Sequence, residues 1–177
     1  DRATRLVEQL LTLARQEPGA AAAPLQTVVL APLARQGLAD AAPLAQARGS
    51  TLSLQADEQA TVQGDAAALA VLLRNLVDNA LRYTPAGGRV GVSIVREPGR
   101  VRLQVDDSGP GIPEAERERV FERFVRGSAS APETGSGLGL AIVRSIAQRH
   151  GATLALEKSD LGGLRVVVSF PAASPTA

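Results

Sequence analysis

Cysteine is absent from the 177 residues, which excludes a disulfide framework and thiolate chemistry. Histidine occurs once, at His150, and one histidine without cysteines cannot build a zinc site. Neither sign of charge dominates, because 19 Lys and Arg against 18 Asp and Glu leave a formal net charge of +1. No basic run exceeds a pair of neighbours and no aromatic platform stands beside one, so no nucleic-acid partner is expected. Every apolar run falls short of the roughly 18 to 20 residues needed to span a bilayer, and no secretory signal pattern is present. Aromatic side chains are scarce: one Tyr and three Phe. Three of these four, Tyr83, Phe121 and Phe124, lie inside short glycine-, asparagine- and charge-bearing blocks. That concentration points to a flat ligand and a hydrophobic lid.

What is present is enough for one domain. Apolar residues make up 45% of the chain, sufficient for a core at this length. DRATRLVEQLLTLARQ (1–16) places Leu6, Val7, Leu10, Leu11 and Ala14 on one helical stripe and reads as the end of a longer helix. EPGAAAAP (17–24) is a linker, residues 25–171 form the main domain, and 172–177 read as a tail. Within the domain the pattern predicts strands over 26–30, 51–57 and 61–65, and helices over 32–48 and from Asp65, as cap, to Tyr83. A hairpin follows, 89–97 and 100–107 around Pro98 and Gly99. A helix over about 138–150 precedes strands 153–158 and 164–170, joined through Gly162 and Gly163. This element order implies an α/β (α+β) two-layer sandwich, a mixed sheet of about five strands with about three helices on one face.

Four blocks carry the chemistry. In NLVDNALRY (75–83), Asn75 and Asn79 are four apart, so both amides share one helix face, with Arg82 and Tyr83 a turn further on. One amide oxygen together with phosphate oxygens is a sensible Mg²⁺ shell, Arg82 can hold phosphate, and Tyr83 can lie against a base. Taken alone, the pair also fits two ordinary surface asparagines. DDSGPGI (106–112) follows a strand directly. A carboxylate fixed at a strand end can accept from an exocyclic amino group, and Asp107 is the choice because Gly109 and Gly111 follow it and let the backbone approach a flat base. In isolation the same residues make a plain Asp-Gly turn. GSGLGLAI (135–142) is neither a dinucleotide fingerprint nor a Walker loop. It is a glycine loop, Gly135, Ser136, Gly137, Leu138 and Gly139, opening a helix whose bare N–H groups favour phosphate. In FERFVRG (121–127), Phe121 and Phe124 either pin a lid or serve as core anchors, and Arg126 can reach a terminal phosphate. His150, at a helix end before Gly151, is explained by a capping role.

Blocks of this kind in this order resemble the catalytic ATP-binding domain of bacterial sensor histidine kinases, in the wider group that includes the gyrase B, Hsp90 and MutL ATPase domains. NLVDNALRY is similar to the family's N box, DSGPG to the G1 box, FERF to the F box and GSGLGLAIV to the G2 box. DRATRLVEQLLTLAR resembles the end of the second helix of the dimerisation and phosphoacceptor hairpin in sensors of the QseC and PmrB type. The resemblance implies a Bergerat ATP-binding fold with ATP and Mg²⁺ as cofactors. By position, Asn79 would bind Mg²⁺, Asn75 would support the phosphates, and Arg82 and Tyr83 would take the phosphate and adenine sides. Asp107 would read adenine, Arg126 would be the lid arginine, and Gly135, Gly137 and Gly139 would form the phosphate loop. Asn79, Arg82 and Arg126 are thus the residues expected to act on the transferring group. Leu164 departs from the threonine that many members carry.

Partners follow from the same resemblance: a phosphoacceptor histidine hairpin, a response regulator receiver domain, and a second copy of the parent protein. The parent is expected to be anchored in the inner membrane, with this domain in the cytoplasm. A histidine followed by an acidic residue and a nearby proline does not occur in the chain, so the phosphoacceptor motif is missing. Three other readings stay open at this point. They are a serine/threonine kinase of the anti-sigma type, a gyrase-like or MutL-like ATPase, for which no glutamate base occurs in residues 70–83, and a nucleotide- or partner-binding module without transfer activity.

Overall fold

A computed structural model describes residues 2–16, 24–122 and 137–173. In chain order the elements are α1 (Arg2–Gln16), β1 (Gln26–Val29), α2 (Leu30–Ala47), β2 (Thr51–Ala56), β3 (Thr61–Gly64), α3 (Ala66–Tyr83), β4 (Arg89–Glu97), β5 (Arg100–Asp107), α4 (Gly139–Arg149), β6 (Thr153–Lys158) and β7 (Leu164–Pro171). Single 3-10 turns at Glu114–Glu116 and Arg119–Phe121 lie between β5 and α4.

Five strands form one sheet in the order β2-β4-β5-β7-β6, and β1 pairs separately with β3. The β2–β4 pair is parallel while the other three pairs are antiparallel, so the sheet is mixed. Period-two alternation sends one side of each strand toward the helices: Val90, Val92 and Ile94 on β4, Val101, Leu103 and Val105 on β5, Val166, Val168 and Phe170 on β7, all buried. Against them lie Leu69, Leu72, Leu73 and Leu76 of α3 and Ile142, Val143 and Ile146 of α4. Truncating any one of these leucines would cost about 2 to 5 kcal/mol.

Two devices fix where α3 starts. The Asp65 carboxylate caps it, accepting from the N–H groups of Ala67 (3.1 Å) and Ala68 (3.3 Å), a contribution of about 1 kcal/mol. The end of α4 reaches back to the same residue: Arg149 pairs with the Asp65 carboxylate at 3.0 Å, and His150 Nε2 accepts from the Asp65 N–H at 3.0 Å. That bond makes Nδ1 the protonated nitrogen, which donates to the Ile146 carbonyl at 2.7 Å. Burial of the ring holds its pKa below the ordinary 6.5. His150 is therefore the cap position of α4 and also a tie between two helices.

α1 packs on the domain differently from the expected stripe. Leu13 is 4% exposed and Leu6 rests on the core, whereas Val7, Leu10 and Leu11 are 55%, 40% and 52% exposed. Residues 6 and 13 are seven apart and share one narrow line along the helix. The wider stripe lies mostly off that line.

Candidate nucleotide-binding site

The site has two ends, joined by the last turns of α3. At the first end Asp107 closes β5 and is 4% exposed. Its Oδ1 accepts from the N–H groups of Gly109 (2.9 Å) and Leu164 (3.1 Å), and its carbonyl oxygen accepts from Gly163 N–H at 3.1 Å. No donor among the described residues reaches Oδ2. Burial raises the carboxyl pKa, and the charge of Asp106 adds to the rise, while the two N–H groups act the other way.

Glycines make this arrangement possible. A methyl group at Gly163 would sit 2.1 Å from Asp107 Oδ1 and 2.6 Å from Gly109 N, and one at Gly109 would sit 2.5 Å from the Tyr83 carbonyl. Backbone from three segments therefore meets where no side chain fits. Tyr83 is half-buried at the end of α3, against the loop that holds Asp107. Gly111 takes the left-handed conformation (φ 73°), which a glycine adopts without the Cβ clash.

At the second end Asn75, Asn79 and Arg82 line a cleft of about 130 Å³. The Asn75 amide nitrogen donates to the Val71 carbonyl at 2.9 Å, which fixes which of its atoms is the oxygen. That oxygen and the Asn79 amide face the first residue of α4: a methyl at Gly139 would lie 3.4 Å from Asn75 Oδ1 and 3.1 Å from both terminal atoms of Asn79. The α4 N-terminus thus lies close against the two asparagines, and a side chain at Gly139 would require them to shift by a few tenths of an ångström. The opposite wall is α1, through Glu8, Gln9 and Thr12.

Among the described residues no three His, Cys, Asp or Glu side chains gather to hold a metal. An amide oxygen at the edge of this cleft fits Mg²⁺ brought in on a nucleotide, because that ion keeps waters and shares phosphate oxygens.

The expected site residues are distributed accordingly. Asp107, Gly109, Gly111 and Tyr83 come together at the first end, and Asn75, Asn79, Arg82 and Gly139 at the second. Gly137 has φ 74°. Leu138 is fully buried in the core, so its side chain is not presented to a ligand. Arg126, Gly135, Ser136 and Phe124 lie outside the described residues. Phe121 ends a 3-10 turn and is half-buried. The sequence marked Leu164 only as a departure from the family's threonine, not for its N–H, and Gly163 only as half of the Gly162–Gly163 pair; nothing in it marked Glu8 or Thr12.

The family model for histidine kinase-, DNA gyrase B-, and HSP90-like ATPases matches residues 64–174. The sensor protein kinase PmrB of Pseudomonas aeruginosa is 39% identical over 178 residues, covering 100% of this chain and 37% of PmrB. The signal transduction histidine-protein kinase/phosphatase MprB of Mycobacterium sp. (strain KMS) is 51% identical over 110 residues, 62% of this chain and 21% of MprB. The chain therefore spans well under half the length of these curated relatives. Among solved structures, full-length ShkA in complex with AMPPNP superposes with a TM-score of 0.80 at 31% identity, over 98% of this chain and 36% of ShkA.

Proposed function

Since the chain belongs to the histidine kinase-, DNA gyrase B- and HSP90-like ATPase family and is the catalytic ATP-binding domain of a two-component sensor histidine kinase, we propose that it holds Mg–ATP along the end of α3 and presents the γ-phosphoryl to a histidine outside this chain. The observation that carries this reading is the paired geometry of the two ends. A carboxylate with one oxygen pinned and the other open stands at the end of β5. Two asparagines and an arginine face a cleft one to two turns up α3.

In this reading Asp107 Oδ2 accepts from the adenine amino group and Tyr83 lies beside the ring. Asn79 supplies its amide oxygen to Mg²⁺, Asn75 supports the phosphates, and Arg82 neutralises phosphate charge. Arg126, Gly135 and Ser136 are assigned to the lid and phosphate loop by motif alone. The bound ion would offset charge on the transferring group. Catalysis of this kind is mostly positioning and electrostatic stabilisation.

The nucleophile must come from elsewhere. His150 is the chain's one histidine, it is 6% exposed, and both its ring nitrogens are engaged. The proposed partners are a phosphoacceptor histidine on a dimerisation hairpin, whose ring nitrogen attacks the γ-phosphorus as ADP leaves, and a response regulator receiver domain that then takes the phosphoryl group. The parent protein is proposed to be a membrane-anchored homodimer with this domain in the cytoplasm. Titration calorimetry with AMPPNP, in Mg²⁺ and then in EDTA, tests the reading. Binding that weakens on chelation is expected, and no binding in either condition would overturn it.

A further inference from the structure

Asp106 and Asp107 are consecutive on β5 and so point to opposite faces of the sheet. Asp107 faces the helices and the site. Asp106 faces away, yet it is only 8% exposed, and the chemistry proposed above does not use it. Its Oδ1 accepts from Ser159 Oγ at 2.7 Å and Arg165 Nε at 2.8 Å, and its Oδ2 from Gln104 Nε2 at 3.2 Å. Arg165 also holds Asp160 at 2.9 Å. A buried carboxylate satisfied this fully has one geometry, because losing a donor leaves charge unpaired.

What the cluster grips is the β6–β7 loop. The Ser159 hydroxyl oxygen, while donating to Asp106, accepts from Leu161 N–H at 3.0 Å. Ser159 N–H donates to the Gly163 carbonyl at 2.8 Å, and Gly162 N–H to the Ser159 carbonyl at 3.0 Å. The loop emerging from this clasp delivers two of the three N–H groups that hold Asp107, that of Gly163 to its carbonyl oxygen and that of Leu164 to its Oδ1. One carboxylate thus anchors the loop from behind the sheet, and the loop wraps the strand end to orient the next carboxylate in front.

We propose that Asp106, Ser159 and Arg165 form a clamp that sets the orientation of Asp107 and with it the preference for a purine bearing an exocyclic amino group. They are positioning residues, acting through the loop without touching nucleotide. The clamp rests on the assignment of Asp107 to the base, so its test must separate the two.

The measurement is the ratio of affinities for ADP and IDP with Mg²⁺, the second carrying a carbonyl oxygen where adenine has its amino group. Melting temperatures recorded in parallel confirm that each variant is folded. The unaltered protein should favour ADP by about tenfold or more, and Asp107→Asn should erase the preference. Ser159→Ala and Arg165→Gln should each lower the ratio by roughly three- to tenfold, with Arg165→Lys recovering part of it. If Asp107→Asn erases the preference while Ser159→Ala and Arg165→Gln leave the ratio intact, the clamp is refuted and the reading of Asp107 stands. The clamp is likewise refuted if those two variants weaken both nucleotides equally, since that is a merely structural effect. If Asp107→Asn preserves the preference, the reading of Asp107 fails and the clamp fails with it.

Discussion

The end proposed to take the base and the end proposed to take the phosphates, called below the base end and the phosphate end, are built from different materials. At the base end a side chain is held by main chain: Asp107 receives its hydrogen bonds from backbone N–H groups, and glycine keeps the backbone close enough to give them. At the phosphate end side chains of α3 face α1 across a cleft, and the first residue of α4 lies against the two asparagines. A backbone-built end resists any added atom but has few groups to tune. A side-chain-built end accepts substitution at modest cost, and its charges can be altered one at a time.

Gly163→Ala should break the base end most severely. The added methyl would stand 2.1 Å from Asp107 Oδ1, far inside contact distance, and what it meets is the pinned oxygen itself. Loss of AMPPNP affinity by about a hundredfold is expected, corresponding to about 3 kcal/mol for a lost charge-assisted contact plus displaced backbone. Calorimetry on the folded variant checks it. Affinity near that of the unaltered protein would mean the base end yields more easily than its packing implies.

Asn79→Ala should act on the other end and by less. The affinity for AMPPNP in Mg²⁺ is expected to fall about tenfold, while affinity in EDTA changes little, so the two titration curves converge. A fall of equal size in both conditions would remove Asn79 from the metal and make it a phosphate or packing residue.

These two ends also differ in how far the sequence reveals them. The i, i+4 spacing of Asn75 and Asn79 places both amides on one face, because helix periodicity alone decides that. Alternation and a Pro-Gly turn bound the strands 89–97 and 100–107 correctly. The two glycines that follow single out Asp107 over Asp106, and the sheet puts the two on opposite faces. The partners of Asp107 are not legible. The Leu164 N–H lies 57 residues away, and a main-chain donor carries no residue-type signature. Gly163 reads only as half of a turn, although its lack of a Cβ matters more than its turn geometry. For α1, amphipathicity announces a packed face without saying which edge the partner takes.

The tie between α3 and α4 offers a pH readout with a smaller effect. His150 is held neutral in the fold, its pKa lowered first by burial, with Arg149 lowering and Asp65 raising it. The unfolded chain therefore binds more protons below pH 6.5, the ordinary value, and stability falls as pH drops beneath it. Protonation also ends the acceptance from Asp65 N–H, worth about 1 kcal/mol. Melting temperature should decline between about pH 7.5 and 5.5 by more in the unaltered protein than in His150→Gln. Equal declines would place the sensitivity in other groups.

The smallest expected effect is the sharpest probe of the side-chain-built end. Glu8 lines the same cleft as Asn79 and Arg82, so a carboxylate stands on the wall opposite the residues assigned to phosphate. A triphosphate entering that cleft meets like charge from α1 and opposite charge from Arg82. Glu8→Gln keeps the shape and removes the repulsion, and should tighten AMPPNP binding by about two- to threefold at low ionic strength, with the gain fading as salt rises. Gly163→Ala should show no such salt dependence, because its effect is steric. Glu8→Gln binding that is unchanged at low salt would mean nucleotide displaces α1 from the cleft before its charge is felt. The phosphate end would then be built by α3 and α4 alone.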